Sequence, residues 1–405
     1  MRKIIAVYLI FVGAIFIFFI PPFQKADETT HFKKALAVTH GVFYCPANNQ
    51  ITVPKQFTIL INEEKLQSII AKENKKMGLL VCINEVFSTK ANYQPSVINI
   101  ASICQLPPIS YLPQSVGLLI SQFLYFNQFL SFFSGRFFAY IFFLIWFYFL
   151  LKHCPKSIKP LILLTFFLPM TLHQLTAYSY DGVQIMLALT IFVSGIKLVE
   201  SRLKKINWVI VLIIAFVGFL ICRAVVKVAY PTTINPADQI ILLKTNPFSI
   251  LEIIIKTTFI KFPFYLQGVI GIFGWLECGL DYFTYFFYIL LILFTIYQTK
   301  LEKKLLLLNW QNIILGSIIF IFYLFLLFIN YLFWTPYKSK VIEGIQGRYF
   351  LLIFPFLLFF LINIRQRYFP KMKIIKLNIP NWLIAAVCII IITLIFQNIV
   401  SRFYF

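Results

Sequence analysis

The chain has 405 residues, 60% of them hydrophobic and 19% aromatic, with a formal net charge of +22. A soluble domain is about 45–50% apolar, so this composition excludes an ordinary water-soluble protein. In so apolar a chain the basic excess reads first as a topology signal, which excludes a nucleic-acid partner.

Nine long uncharged runs follow one another: 4–20, 137–151, 160–180, 182–196, 206–222, 282–299, 311–337, 349–364 and 381–401. About 20 apolar residues in a helix cross the roughly 30 Å of a bilayer core. The runs are continuous and do not alternate, which excludes a β-barrel. The fold expected is an all-α polytopic membrane protein with about nine transmembrane helices (range 9–11) and a large first extracytoplasmic loop. Three regions are expected: an anchor at 1–20, an external loop with juxtamembrane helices at 21–133, and a helix bundle at 134–405.

The first run follows Arg2 and Lys3. It lacks a small-residue cleavage pattern before Pro21-Pro22 and reads as a retained anchor. Five short basic clusters come next in the topology argument: Arg2-Lys3; Lys152, Lys156 and Lys159; Arg202, Lys204 and Lys205; Lys300, Lys303 and Lys304; and Arg365, Arg367, Lys371, Lys373 and Lys376. The positive-inside bias puts all five in the cytoplasm. Parity then sets the spans at 4–20, 134–151, 160–177, 182–199, 207–222, 282–298, 308–333, 348–364 and 381–399. The N-terminus is cytoplasmic and the C-terminus external. Residues 109–126, broken by Pro113 and two glutamines, become an interfacial helix. Residues 249–277 become interfacial or re-entrant, and a hairpin there satisfies parity equally.

This topology sorts the acids. Of fourteen Asp and Glu residues, only Glu200 and Glu302 fall inside. Asp27, Glu28, Asp181, Glu277, Asp281 and Glu343 lie near external span ends. His31, Arg136, His173, Arg223, Lys227 and Arg348 share that face. One external, membrane-proximal polar site is expected. Seven cysteines show no metal-ligand spacing. Three of them, Cys45, Cys82 and Cys104, share the external loop, where one disulfide is expected.

Asp27 and Glu28 open a short helix ending at Gly41. A cap at the helix N-terminus is one reading for Asp27; a general base or a metal-binding carboxylate is the other. Glu28 and His31 are i and i+3 and share a face. The same choice, cap or function, holds for Asp181 in S-Y-D-G, and ionisable groups at a membrane edge are functional candidates by default. Arg136, Arg223, Lys227 and Arg348 stand on the side the charge bias disfavours. Headgroup snorkelling explains them, as does holding a phosphate or pyrophosphate. In E-G-I-Q-G-R-Y-F, Gly344 and Gly347 are expected to let the backbone approach a ligand near Gln346, Arg348 and Tyr349. Tyr230 lies beside Lys227. Trp275, Trp334 and Tyr337 read as interface belts, with sugar stacking as the functional alternative. No Walker A loop, dinucleotide fingerprint, zinc spacing or nucleophile elbow is present.

Several stretches resemble, in order across about residues 1–370, a family of bacterial inner-membrane proteins known as DUF2142. They are P-P-F-Q-K-A-D-E-T-T-H-F with Gly41, P-P-I-S-Y-L-P-Q-S-V-G, G-R-F-F at 135, S-Y-D-G at 179, K-V-A-Y-P at 227, G-I-F-G-W-L-E at 271 and E-G-I-Q-G-R-Y-F at 343. The chain departs from that pattern where Lys25-Ala26 separates the prolines from the acid pair. The family in turn is similar to the C-type (GT-C) membrane glycosyltransferases. That likeness implies an essential acid in the first external loop, here Asp27, and a second after the third span, here Asp181.

The expected function is transfer of a sugar from a polyprenyl-phosphate donor to an envelope glycan or lipid acceptor on the outer face of the bacterial inner membrane. Asp27, Glu28 and Asp181 are the expected catalytic residues. The substrate-binding set is His31, Arg136, Arg223, Lys227, Tyr230, Trp275, Gln346, Arg348 and Tyr349. A divalent cation, Mg or Mn, is the one cofactor considered. Partners are the lipid-linked donor, the acceptor and membrane lipid. A flippase for lipid-linked glycans and a non-catalytic envelope-assembly protein are the alternatives.

Overall fold

A computed structural model describes residues 2–70, 72, 75–201, 206–224, 234–370 and 380–405. Most of the described residues are helical. Helix α1 (Arg2–Ala14) runs into a π-helical turn at Ile15–Phe19. The first loop then holds α2 (Glu28–Thr39), strand β1 (Gln50–Pro54), α3 (Lys55–Ile61), α4 (Glu64–Ser68), α5 (Leu79–Ser88), β2 (Pro95–Asn99) and a 3-10 turn at Pro108–Tyr111. The two strands pair antiparallel, with Gln50 opposite Asn99 and Pro54 opposite Pro95. Cys45 and Cys104 form the loop's disulfide, and the Cys82 side chain lies outside the described residues.

The segment expected at the interface contains α6 (Leu112–Phe123), which is too short to cross a bilayer. It packs against α7 (Gln128–His153), whose first turn is capped by Asn127 Oδ1 accepting from Leu130 N at 3.0 Å. The next expected span is broken into α8 (Lys159–Phe167) and α9 (Pro169–Leu175). Leu168 takes an extended backbone because Pro169 follows it. Then come α10 (Asp181–Glu200), α11 (Ile206–Ala224), α12 (Pro236–Thr245) and α13 (Pro247–Gly271). A short hairpin with a four-residue loop pairs β3 (Ile272–Phe273) with β4 (Cys278–Gly279). The chain finishes with α14 (Tyr282–Gln298), α15 (Asn309–Phe333), a 3-10 turn at Gly347–Leu352, α16 (Phe354–Tyr368) and α17 (Asn381–Phe403).

Among the described residues five helices are long and apolar enough to cross a membrane: α7, α10, α13, α15 and α17. Helix α10 is the most enclosed of them, with 78% of its window buried, whereas α15 and α17 are only 17% buried. Such apolar, outward-facing helices suit lipid rather than water, since exposed apolar surface on this scale is not tolerated in a soluble protein. Where an interfacial, re-entrant or hairpin segment was expected at 249–277, helix α13 is instead one continuous helix, long and apolar enough to be a candidate span. Along it, Thr257 Oγ1 accepts from Ile342 N, Lys261 pairs with Glu343, and Gly268 meets Gly347. It therefore lies against the 342–347 segment for much of its length.

The bundle has two distinguishable ends. At one, Arg402 of α17 donates to Ile69 O and Lys75 O, and Met77 N donates to Phe403 O. The last helix thus closes on the first loop. At the other, Lys304 pairs with Glu200, and Gln366 bonds with the backbone of Leu301. Asp27, Asp181 and Arg348 belong to the first end and the basic segments at 300–304 and 365–367 to the second, as the charge bias requires. Arg202, Lys204, Lys205, Lys371, Lys373 and Lys376 lie outside the described residues.

Candidate functional site: two aspartates around Arg348

Asp27 precedes α2 at the position of an N-cap, yet its side chain makes no capping hydrogen bond. Its backbone is left-handed, at φ 60° and ψ 10°, a conformation uncommon for any residue but glycine. The carboxylate is 54% exposed and lies 3.8 Å from Arg348 Nη2. Asp181 opens α10 and also makes no cap. Ser179 Oγ accepts the Asp181 N–H at 3.0 Å. The Asp181 carboxylate is 3.6 Å from Arg348 Nε. Asp281 shows what a capping aspartate does in this chain: its two oxygens accept from Thr284 N at 2.9 Å and from Thr284 Oγ1 at 2.6 Å.

The remaining acids near this end are engaged elsewhere. Glu277 pairs with Arg402 at 3.1 Å, and Glu343 with Lys261 at 3.3 Å. Of the external acids singled out by sequence, Asp27 and Asp181 are the two that converge on Arg348.

Three segments position this trio. Helix α6 bridges two of them: Ser115 Oγ donates to Ala35 O of α2 at 2.9 Å, while Gln114 Nε2 donates to Ala177 O and Ser179 O, each at 3.2 Å. The third segment is placed by backbone apposition. A Cβ on Gly347 would stand 2.4 Å from the Gly268 carbonyl carbon, so only glycine fits. Gly347 thus makes its close approach to α13, and a Cβ on Gly344 would strike Trp334. Arg348 is 12% exposed. Its Nε is buried and donates no hydrogen bond, and both carboxylates stand beyond hydrogen-bond reach. The ring of Tyr349 lies 5.7 Å from the guanidinium carbon.

His31 sits beside the acids. Its Nδ1 shares a 2.6 Å hydrogen bond with Tyr111 Oη, and its ring meets Tyr180 edge-on at 5.1 Å. Burial holds its pKa below the ordinary imidazole value, against the pull of Asp27 and Asp181. Neutral His31 is therefore a hydrogen-bonding wall rather than a cation.

Glu28 and Arg136 are corrected from catalytic and ligand-binding candidates to a buried structural pair. Both side chains are 0% exposed. Arg136 Nε donates to Glu28 Oε1 at 2.9 Å and Nη2 to Oε2 at 2.5 Å. Its remaining donors meet Ile17 O, Ile20 O and Pro21 O at 3.0, 2.6 and 3.3 Å. Glu28 Oε1 also accepts from Tyr178 N at 3.2 Å. A solvent substrate reaches neither. The i, i+3 spacing of Glu28 and His31 thus brings no joint chemistry, because the helix turns Glu28 inward.

Lys25, which sequence reasoning passed over, joins this network. Its Nζ donates to Thr176 O at 2.7 Å and Thr176 Oγ1 at 2.8 Å. Burial, then the neighbouring Arg136, pushes its pKa well below the ordinary lysine value. Its signal was faint: a lysine between an anchor and an acid pair reads as a surface flank. Tyr111 was equally silent, because its role depends on His31, 80 residues away.

Trp275 Nε1 donates to Phe23 O at 3.3 Å and so straps the β3–β4 hairpin to the segment before Asp27. Gln346 lies two residues before Arg348, and its Oε1 is buried without a partner. The Arg223 side chain, Lys227 and Tyr230 lie outside the described residues. Among the described residues no group of three or more His, Cys, Asp or Glu is placed to hold a metal ion. Asp27 and Asp181 each face the Arg348 guanidinium instead, and this donor set does not fit the Mg or Mn ion considered from sequence.

No curated protein and no solved structure matches the chain. The family model described as "Predicted membrane protein (DUF2142)" matches residues 9–230 and 219–360. The first match carries Asp27, His31 and Asp181 and the second carries Arg348, so the whole trio lies within the matched sequence and the chain belongs to that family.

Proposed function

We propose that this protein is an integral-membrane glycosyltransferase of the C type, with nine spans, a cytoplasmic N-terminus and its site on the outer face of the bacterial inner membrane. It transfers a sugar from a polyprenyl-phosphate donor to an envelope glycan or lipid. The observation that carries the reading is Asp27, held left-handed, uncapped and facing Arg348 together with Asp181. A carboxylate with a lone-pair face free of capping is available as a base.

In the proposed reaction Asp27 accepts the proton of an acceptor hydroxyl. That oxygen forms its bond to the anomeric carbon as the bond from that carbon to the phosphate oxygen breaks. The bonding electrons leave with the polyprenyl phosphate. Arg348 turns a donor toward the departing phosphate and offsets its growing charge. Asp181 holds the guanidinium at Nε, and neutral His31 orients the acceptor.

The test compares envelope glycans of cells carrying the wild-type gene, a deletion and Asp27→Asn. The expected result is one glycan lost in both altered strains, with Asp27→Asn protein at wild-type abundance. An unchanged glycan profile in the Asp27→Asn strain overturns the assignment.

A further inference from the structure

A groove of about 460 Å³ lies between α10, α11, α15 and α16. Apart from Gln311, every side chain that lines it is aliphatic or aromatic. Its floor joins two helices: the Phe192 ring of α10 meets Phe356 and Phe359 of α16, with centroids 5.0 and 5.8 Å apart. It opens on the outside of the bundle along α15, where Trp310 and Ile318 are 58% and 57% exposed. Gly195 of α10 borders it where the packing stops short, since a Cβ there would meet no atom within 4 Å. Glycine inside a helix is unfavourable, and no close contact calls for it at this position.

Depth and charge narrow the occupant. From Trp310 to Ile318 the wall of α15 rises about 12 Å, close to half of the roughly 30 Å hydrocarbon core and so to one leaflet. The volume equals about fifteen liquid waters, the scale of one acyl chain. The mouth lies at the basic end of the bundle. Leu307, which lines it, donates its N–H to Asn363 Oδ1 at 2.9 Å, and its carbonyl accepts from Arg367 Nη1 at 2.8 Å. The guanidinium of Arg367 is therefore fixed to the lip of the groove, and it is exposed there. The two acids at this end, Glu200 and Glu302, are both engaged by Lys304, at 3.0 and 3.1 Å. Among the described residues Arg367 and the exposed Lys303 have no carboxylate partner. Trp310 stands at the level where indole rings meet headgroups. An apolar slot one leaflet deep with a cationic lip matches an amphiphile with an acyl chain and a negative headgroup.

We propose that this groove is a binding site for an anionic phospholipid of the leaflet at the basic end of the bundle. One acyl chain lies over Phe192, Gly195 and Ile314, and the phosphate meets Arg367 and Lys303. The second chain stays in the bilayer. The site stands at the opposite end of the bundle from Asp27, Asp181 and Arg348 and does not rest on the glycosyltransferase reading.

Gly195→Leu and Arg367→Gln test the chain slot and the headgroup contact separately. Full-length protein in detergent is stripped of lipid and titrated with phosphatidylglycerol or with phosphatidylcholine of the same chains. Bound lipid is counted by native mass spectrometry. The first phosphatidylglycerol should bind the wild type about fivefold more tightly than phosphatidylcholine, the factor that one basic side chain at a membrane surface supplies. Arg367→Gln should lose that preference and bind phosphatidylcholine as the wild type does. Gly195→Leu fills the groove and should weaken both lipids alike. Its lipid-free melting midpoint should stay at or above that of the wild type, because leucine is the better helix former. Equal affinity of the wild type for the two lipids, or unchanged phosphatidylglycerol binding in either variant, overturns the proposal. Polyprenyl phosphate is the third titrant. If it binds more tightly than phosphatidylglycerol and is lost in Gly195→Leu, the groove belongs to that lipid and the phospholipid assignment fails.

Discussion

Glu28→Gln separates the buried network from the exposed site. The substitution keeps the volume and removes one charge from a place with 0% exposure. In the native protein Arg136 makes two bonds to Glu28 and three to backbone carbonyls. With glutamine, the contact at Oε1 survives as a neutral hydrogen bond. The contact at 2.5 Å sets the amide NH2 against the Nη2 donor, and one of the two must move. Arg136 and Lys25 then share the interior with no anion between them. Breaking a buried pair in this way costs about 3–5 kcal/mol. The Glu28→Gln/Arg136→Met double variant removes both charges but orphans the carbonyls of Ile17, Ile20 and Pro21, each costing about 1–3 kcal/mol. It should nonetheless be less destabilised than the sum of the two single variants, because the pair is coupled. The assay is unfolding of purified protein in lipid nanodiscs, followed by helix content against temperature and denaturant. A Glu28→Gln loss under about 1 kcal/mol, the range of exposed pairs, would refute the claim that this pair is a desolvated structural tie.

Asp27 offers a dissociation of stability from function. Asp27→Gly relieves the left-handed backbone and should be about 1–2 kcal/mol more stable than Asp27→Ala, and under the proposed function both should lose the glycan; equal melting midpoints for the two would argue against backbone strain at this position. Cys45→Ser opens a loop with a sequence separation of 59, and the chain-entropy estimate for such a loop is about 4 kcal/mol; reductant should lower the wild-type midpoint and leave that of the variant unchanged. His31 has a folded pKa below its unfolded value, chiefly through burial. The unfolded chain therefore binds the proton first, and stability present above about pH 6.5 is lost as pH falls below it. His31→Gln should flatten that acid limb in a melting series, and an unchanged slope would assign the acid sensitivity elsewhere.

Membrane class and helix placement were legible along the chain because they depend on local composition. Long apolar runs at 181–200, 309–333 and 381–403 became helices within a few residues of expectation. Charge bias separated the Lys304 and Arg365 end from the Asp27 end before any contact was known. Helix breaks were less legible. Pro169 divides α8 from α9, and Pro263 sits inside the unbroken α13, since neighbouring helices decide whether a freed carbonyl is tolerated.

The candidate site shows the same division. Sequence alone brought Asp27, Asp181 and Arg348 to one face, because parity is a property of order along the chain. It gave Glu28 the same standing as Asp27, since adjacent acids share composition and charge. Tertiary structure parted them. Asp27 stands just before α2 with a left-handed backbone, so it faces Arg348, while Glu28 opens the helix and enters the interior, where Arg136 waits 108 residues away. Which carboxylate is spent on packing and which is left for chemistry depends on partners distant in sequence, and only the folded chain decides it.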